Sequence, residues 1–410
     1  MRHDLFDTDV NTIVKVTFLF LLLLSVNCLN CIPIVNSVNI PLIRIITGIV
    51  LFCICISELG KRSCFFRLEF LVILLSFLFS SFSSYILYKQ GVFESIKISF
   101  NYIFPLFIYL YLLKYNVSES YVFKVLLLFS IVFLLILVLQ QFSYPFYLFC
   151  GRDEEDTGKP LDVRMGIYRF TLYGVWFCVL TLVILFQRFM KSRKDKFFYF
   201  LMMLIVFFSI VFNLERKVIF SSVTALIIGL IFYKGGSLPS KIALSSIVVA
   251  IFVFLPEYMQ DLNKQTADEL NNSNFVRYLA MRYFFYDMNT SPLYYIFGAG
   301  FPGKSNLGTI IDNMKFYYGF YQEDVGIVGY ISKTGFFGLF AYLLIVVKII
   351  KNIKYVDMGL LLYLLCLLMV CVFKFWGNSC PNIAAFSIYL YLVDISIKQN
   401  IIKAKNYKIL

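Results

Sequence analysis

Several segments of this chain carry residue types that could do chemistry. The most pointed is Asn213-Leu-Glu-Arg-Lys217, a charged stretch between two apolar runs that are barely long enough to cross a bilayer. Ionisable groups at membrane depth are costly and commonly face a cavity or mark function. Two readings of the hairpin stand side by side. Its charges snorkel to lipid headgroups, or Arg216 points inward at a phosphate with Lys217 beside it. A guanidinium matches phosphate oxygens bidentately and stays protonated, so it suits a permanently anionic ligand.

Four more arginines fall in polar segments: Arg164 and Arg169, then Arg277 and Arg282. Each pair is five residues apart. On a helix that spacing is about 140° of rotation, so within a pair they do not share a face. At most one of each pair points at a given ligand. Glu323 and Asp324 stand at the mouth of an apolar run. Acids are favoured there by the helix dipole alone. Alternatively, one of them is a general base that takes a proton from an attacking hydroxyl. Gly326, Gly329, Gly335 and Gly338 follow, and small residues at such spacing let helices approach closely.

Gly298-Ala-Gly-Phe-Pro-Gly-Lys-Ser305 matches the phosphate-cradling pattern G-x-x-x-x-G-K-[ST]. A nucleotide site needs a buried strand before the loop, a helix after it, a parallel sheet and a carboxylate for magnesium. The flanks here are those of a membrane-protein loop. A plain turn is the leading reading. The other is a turn whose consecutive N–H groups form an anion-binding concavity, able to face a lipid pyrophosphate. The ten cysteines lie mostly inside apolar runs and act as small hydrophobes. Cys28 and Cys31 have zinc-ligand spacing, but the one histidine is His3 and no second pair stands in a polar loop. No metal and no other cofactor is expected.

The elements that hold these residues are set by composition. Of 410 residues, 60% are hydrophobic and 15% charged, and the mean hydropathy is +0.81. Soluble domains carry about 25% charged residues, so the bilayer is this chain's solvent. Forty-seven Phe and 29 Tyr exclude a disordered chain. The chain reads as an all-α, polytopic integral membrane protein of one membrane domain, 1–410. A bilayer core of about 30 Å takes roughly 20 apolar residues per helix. Twelve spans are expected: 13–30, 40–57, 67–86, 95–113, 121–141, 171–189, 197–213, 218–233, 241–256, 326–347, 358–374 and 381–397. The polar Met1–Asp7 precedes an apolar run without a small-residue cleavage site, so a retained first helix is expected.

An even number of spans puts both termini on one side, and charge chooses the side. With both termini inside, the inner loops hold Lys61, Arg62, Lys114, Arg188, Lys191, Lys234, Lys348 and Lys351 among others, and the C-terminal tail adds four lysines. The short outer loops hold far fewer, which is the positive-inside pattern. The net charge of +13 is therefore mostly topology, and nucleic acid is not an expected partner. Two outer loops are long, 142–170 and 257–325. Loops beyond about 15 residues are usually functional or disordered, and the second is too aromatic for disorder. It is expected to hold surface helices, one of them capped by Ser273 or Asn274.

Twelve spans, a large outer loop between the ninth and tenth, and outer arginines resemble the O-antigen polymerase and ligase group (Wzy and WaaL types). Val163-Arg-Met-Gly-Ile-Tyr-Arg-Phe resembles that group's stretch before its sixth span. Leu214-Glu-Arg-Lys sits where the group carries an arginine between its seventh and eighth spans, Phe297-Gly-Ala-Gly resembles the G-x-G of its large loop, and Asp324–Gly338 resembles its tenth span. The ligase type carries a histidine late in the large loop. Gln322, Glu323 and Asp324 stand there instead, which favours the polymerase.

The resemblance implies a metal-independent glycosyltransferase in the bacterial inner membrane, both termini cytoplasmic and the long loops periplasmic. It would join undecaprenyl-pyrophosphate-linked oligosaccharide repeats, as donor and acceptor, into a lipopolysaccharide chain. Membrane lipids, a chain-length regulator and a flippase are its implied partners. Arg216, Asp324 and Glu323 would be catalytic, and Arg164, Arg169, Arg277, Arg282 and Lys217 would bind pyrophosphate. A ligase, a polymerase of capsule or exopolysaccharide, and a lipid-linked oligosaccharide flippase or transporter are the alternatives.

Overall fold

The structure, a computed structural model, describes residues 12–26, 40–61, 64–144, 146, 163–164, 167–170, 172–192, 194–233 and 275–406. In chain order the helices are α1 (Thr12–Ser25), α2 (Ile40–Gly60), α3 (Arg67–Tyr88), α4 (Val92–Ile103), α5 (Phe107–Lys114) and α6 (Glu119–Ser143). A two-residue antiparallel ladder pairs β1 (Val163–Arg164) with β2 (Ile167–Tyr168). Then come α7 (Val175–Lys191), α8 (Lys196–Phe212), α9 (Arg216–Phe232), α10 (Val276–Arg282), α11 (Pro292–Phe297) and α12 (Asn306–Tyr318). The last three are α13 (Gly326–Lys351), α14 (Met358–Val370) and α15 (Cys380–Asn406).

The protein is thus helical, as its composition requires, and it is a membrane protein by the length and apolarity of its helices. Six stretches of the described residues are long and apolar enough to cross a membrane: Pro41–Gly60, Arg67–Tyr88, Val92–Lys114, Glu119–Ser143, Gln322–Lys351 and Cys380–Ala404. The other expected spans that fall on described residues coincide with shorter helices. At 17 residues, α7, α8 and α9 rise about 26 Å each, short of a 30 Å core. The expected span 241–256, the caps Ser273 and Asn274, and the Cys28–Cys31 pair lie outside the described residues. The residue that caps α10 is Phe275, which supplies no side-chain bond.

Two compact units make up the chain. The first comprises Met1–Ile40, Tyr115–Asn263 and Val356–Met369. Its centre is α7, buried along nearly its whole length and packed on α6 and α8. Ser118 Oγ caps α6 by accepting from the Tyr121 N–H at 3.3 Å. Arg188 lies 3.7 Å over the Phe123 ring, and Gln187 Oε1 accepts from the Gly359 N–H at the start of α14.

The second unit comprises Pro41–Lys114, Lys264–Tyr355 and Val370–Leu410. The buried helix α15 anchors one end of it. Asp394 of α15 pairs with Lys398 at 2.7 Å and accepts from the Tyr109 hydroxyl at 2.8 Å. Lys348 closes the same end on Glu69 at 2.9 Å. The long helix α13 packs along α3 and is not continuous. At Gly335 the backbone leaves the helix, with φ 68° and ψ −178°. The four glycines read as a smooth packing stripe therefore do two different jobs. Gly326, at φ 50°, begins the helix against the Val372 carbonyl, while Gly335 breaks it.

The break is sealed by the segment after α11. The N–H groups of Ala299 and Gly300 donate to the carbonyls of Ser332 at 2.7 Å and Lys333 at 2.9 Å. A Cβ on Gly335 would overlap the Ile296 carbonyl, and one on Gly298 would overlap Lys333. Gly335→Ala is therefore expected to destabilise by about 3 kcal/mol from left-handed strain and overlap, read as a lower thermal midpoint in detergent. Gly60→Ala, which meets nothing within 4 Å, leaves the midpoint unchanged.

Candidate functional site

The residues singled out from the sequence fall in both units. In the first, the turn Asn213-Leu214-Glu215 joins α8 to α9. Leu214 takes a left-handed conformation, φ 53°, and its N–H bonds to the Val211 carbonyl at 2.9 Å. Glu215 is extended and its carbonyl accepts from the Val218 and Ile219 N–H groups. That geometry makes Arg216 and Lys217 the first two residues of α9, both half-buried. Asn213 is wholly buried, and among the described residues neither Oδ1 nor Nδ2 has a hydrogen-bond partner.

The placement of Arg216 and Lys217 runs against helix electrostatics. The first turn of a helix carries the positive end of the macrodipole, and a cation there is disfavoured by about 0.3–1 kcal/mol. The dipole of α9 by itself therefore gives no reason for two adjacent cations at that position. The buried Glu215 offsets part of the charge.

Arg164 lies in β1, and Arg169 follows β2. The two are therefore in an extended hairpin, and the helical rotation argued for that pair does not apply. A two-residue ladder closed at Arg164–Ile167 imposes strand geometry instead. Arg169 is half-buried.

In the second unit, Arg277 and Arg282 do lie on one short helix, α10, and both are exposed. Arg282 is 65% exposed and stands 3.7 Å from Asp287, so its charge is shared with a neighbouring acid in the open. Exposed pairs of this kind contribute little. Glu323 and Asp324 occupy a tight turn, Gln322–Val325, immediately before α13, and both are exposed. Here the dipole preference and the observed placement agree, so helix electrostatics alone accounts for them.

Gly298–Ser305 has a definite role, and it is neither a nucleotide cradle nor a vacant anion nest. No strand precedes it; α11 does. Most of its N–H groups are already taken. Ala299 and Gly300 seal α13, Gly303 donates to Gln90 Oε1 at 3.0 Å, and Lys304 donates to Glu94 Oε1 at 2.8 Å. The wholly buried Gln90 also receives the Ser305 hydroxyl at 2.6 Å and donates through Nε2 to the Phe301 carbonyl and Ser95 Oγ. Ser83 Oγ donates to the Gly298 carbonyl at 2.5 Å. Phe301 stacks on Phe77 at 5.2 Å and lies 4.4 Å from the Tyr102 ring.

One residue was missed. Lys333, inside the expected span 326–347, is 2% exposed at the break of α13. Its Nζ lies 5.5 Å from the Tyr102 ring centroid and 5.8 Å from that of Phe301. The signal was present: a single lysine in a long apolar run is the same cue that singled out Arg216. Burying an ammonium without an acceptor costs several kcal/mol, far more than a headgroup-facing charge. Among the described residues, no group of three or more His, Cys, Asp or Glu is placed to hold a metal ion.

No protein-family model matches the chain, and no curated protein matches it.

Replacing Gln90 strands the Gly303 N–H and the Phe301 carbonyl in the interior, at about 1–3 kcal/mol for each lost partner. Gln90→Leu is expected to lower the thermal midpoint clearly. Lys304→Ala, which keeps the backbone N–H that Glu94 holds, changes stability by less than about 0.5 kcal/mol.

Proposed function

We propose that this protein is an O-antigen polymerase of the bacterial inner membrane. It joins undecaprenyl-pyrophosphate-linked oligosaccharide repeats on the periplasmic face, without a metal. The acceptor's terminal sugar hydroxyl attacks the anomeric carbon of the donor, a glycosidic bond forms, and the lipid pyrophosphate leaves with the bonding electrons. The proposal takes the chain to cross the membrane about twelve times with both termini cytoplasmic. The 17-residue helices α7, α8 and α9 would cross where the bilayer thins locally.

The observation that carries the reading is the position of Arg216. It is half-buried at the first residue of α9, where helix electrostatics disfavours a cation. A dianionic leaving group is favoured both by that helix end and by the guanidinium. Arg216 is assigned to the leaving pyrophosphate, with Lys217, Arg164 and Arg169 as further cations of the same unit. The exposed Arg277 and Arg282 are assigned at most to its capture. Glu323 and Asp324 are the candidate bases for the attacking hydroxyl.

A second reading is favoured by one observation, the discontinuity of α13 at Gly335. Broken helices at membrane depth are common in transporters, and a lipid-linked oligosaccharide flippase would use one. Product analysis separates the two: loss of a polymerase leaves single repeats on the cell surface, and loss of the flippase leaves none.

Deletion of the gene is expected to collapse the surface-glycan ladder to one rung. Complementation with Arg216→Ala, expressed at parental level, does not restore it, since removing such a charge costs about 3 kcal/mol, or roughly a hundredfold in rate. Asp324→Asn and Glu323→Gln, assayed separately, identify the base. Parental polymer length and yield in both eliminate them.

A further inference from the structure

The break in α13 and the buried lysine beside it belong together. Interrupting a helix frees carbonyl oxygens, and in membrane proteins such carbonyls commonly coordinate cations. Here that use is closed. The Ser332 and Lys333 carbonyls accept from Ala299 and Gly300. What the break leaves for a ligand is the side chain of Lys333. Lys333 Nζ carries three N–H donors, and among the described residues it forms no hydrogen bond and no ion pair. Its near neighbours are the faces of Tyr102 and Phe301. Glu323 reaches it through charge only, from an exposed turn. Ser84 Oγ, fully buried and without a partner among the described residues, packs against Gly300, whose N–H bonds to the Lys333 carbonyl.

We infer that the break in α13 is an anion-binding site, with the Lys333 ammonium as its cationic donor and a phosphate group as its ligand. A phosphate has the acceptor oxygens that this arrangement lacks, and an ammonium is a strong partner for it as a point charge. The Tyr102 and Phe301 rings hold the cation through their faces until the anion arrives. Phe301 sits on the segment that seals the break, so binding is coupled to that segment. The phosphate can come from a polyprenyl-linked lipid, as the polymerase reading requires, or from a soluble phosphate. The site itself follows from the residues; the lipid identity of its ligand rests on that reading.

The test is equilibrium binding of radiolabelled undecaprenyl diphosphate to the purified full-length chain in phosphatidylcholine nanodiscs. Inorganic pyrophosphate serves as competitor. Loss of one charge-assisted contact weakens binding by about tenfold or more. Lys333→Met is expected to show that loss, and Lys333→Arg to retain binding more closely. Competition by pyrophosphate at similar concentration assigns the site to soluble phosphates, and its failure assigns the site to the lipid. Binding of Lys333→Met equal to the parent overturns the site. Should that variant fail to fold, Lys333→Gln carries the test, and unchanged affinity in it is equally fatal. The two proposals fail separately. Normal binding in Lys333→Met with a ladder still lost in Arg216→Ala removes this site alone. Weakened binding with a ladder preserved in the deletion strain removes the polymerase alone.

Discussion

A polypeptide in hydrocarbon has no water to satisfy its backbone, so any interruption of a helix must find partners inside the protein. The second unit of this chain is built around one such interruption. Gly335 takes α13 out of helical geometry, and the carbonyls of Ser332 and Lys333 turn to the N–H groups of Ala299 and Gly300. Much else in that unit follows from this pairing. Gly298 and Gly335 are glycines because the two backbones touch there. Ser83 and Gln90 are polar within or beside a lipid-length helix because they hold the sealing segment in place.

The same constraint gives the charges their meaning. Where a charged residue agrees with the helix end on which it sits, its presence needs no function, and Glu323 and Asp324 are of that kind. Lys348, Asp394 and Lys398 are also accounted for, because each has an opposite charge at contact distance. Arg216 opposes the dipole of the helix it begins. Lys333 is buried between aromatic faces with its own carbonyl engaged elsewhere. A cation kept in the place of Lys333 is better explained by an anion that visits than by the folded state alone.

The sequence made the helices legible because lipid imposes one rule, long apolar runs, and that rule has no tertiary content. The expected ends fall within four residues of the observed ones at α7, α8 and α9. The sequence also exposed the charged hairpin at Arg216, since ionisable residues stand out against apolar neighbours. The break in α13 was hidden. Glycines at three- and six-residue spacing look like a packing stripe, and what distinguishes Gly335 is a partner strand of backbone about forty residues earlier in the chain. The phosphate-loop pattern misled for a related reason. Its glycines serve close backbone approach, and its N–H groups meet Gln90 and Glu94, which no local pattern reveals. Arg164 and Arg169 were placed by helical arithmetic that a short β-ladder cancels.

Reconstitution gives the most direct measurement of the central claim, that cations of this membrane protein bind a lipid diphosphate as sugar is transferred from it. The purified chain would be supplied with undecaprenyl-pyrophosphate-linked repeat units in liposomes, without other proteins or divalent metal. The account predicts lengthening glycan with one undecaprenyl diphosphate released for each linkage formed, and neither product with Arg216→Ala. Repeat units that move across the bilayer without being joined, or polymer formed equally well by the variant, would contradict it.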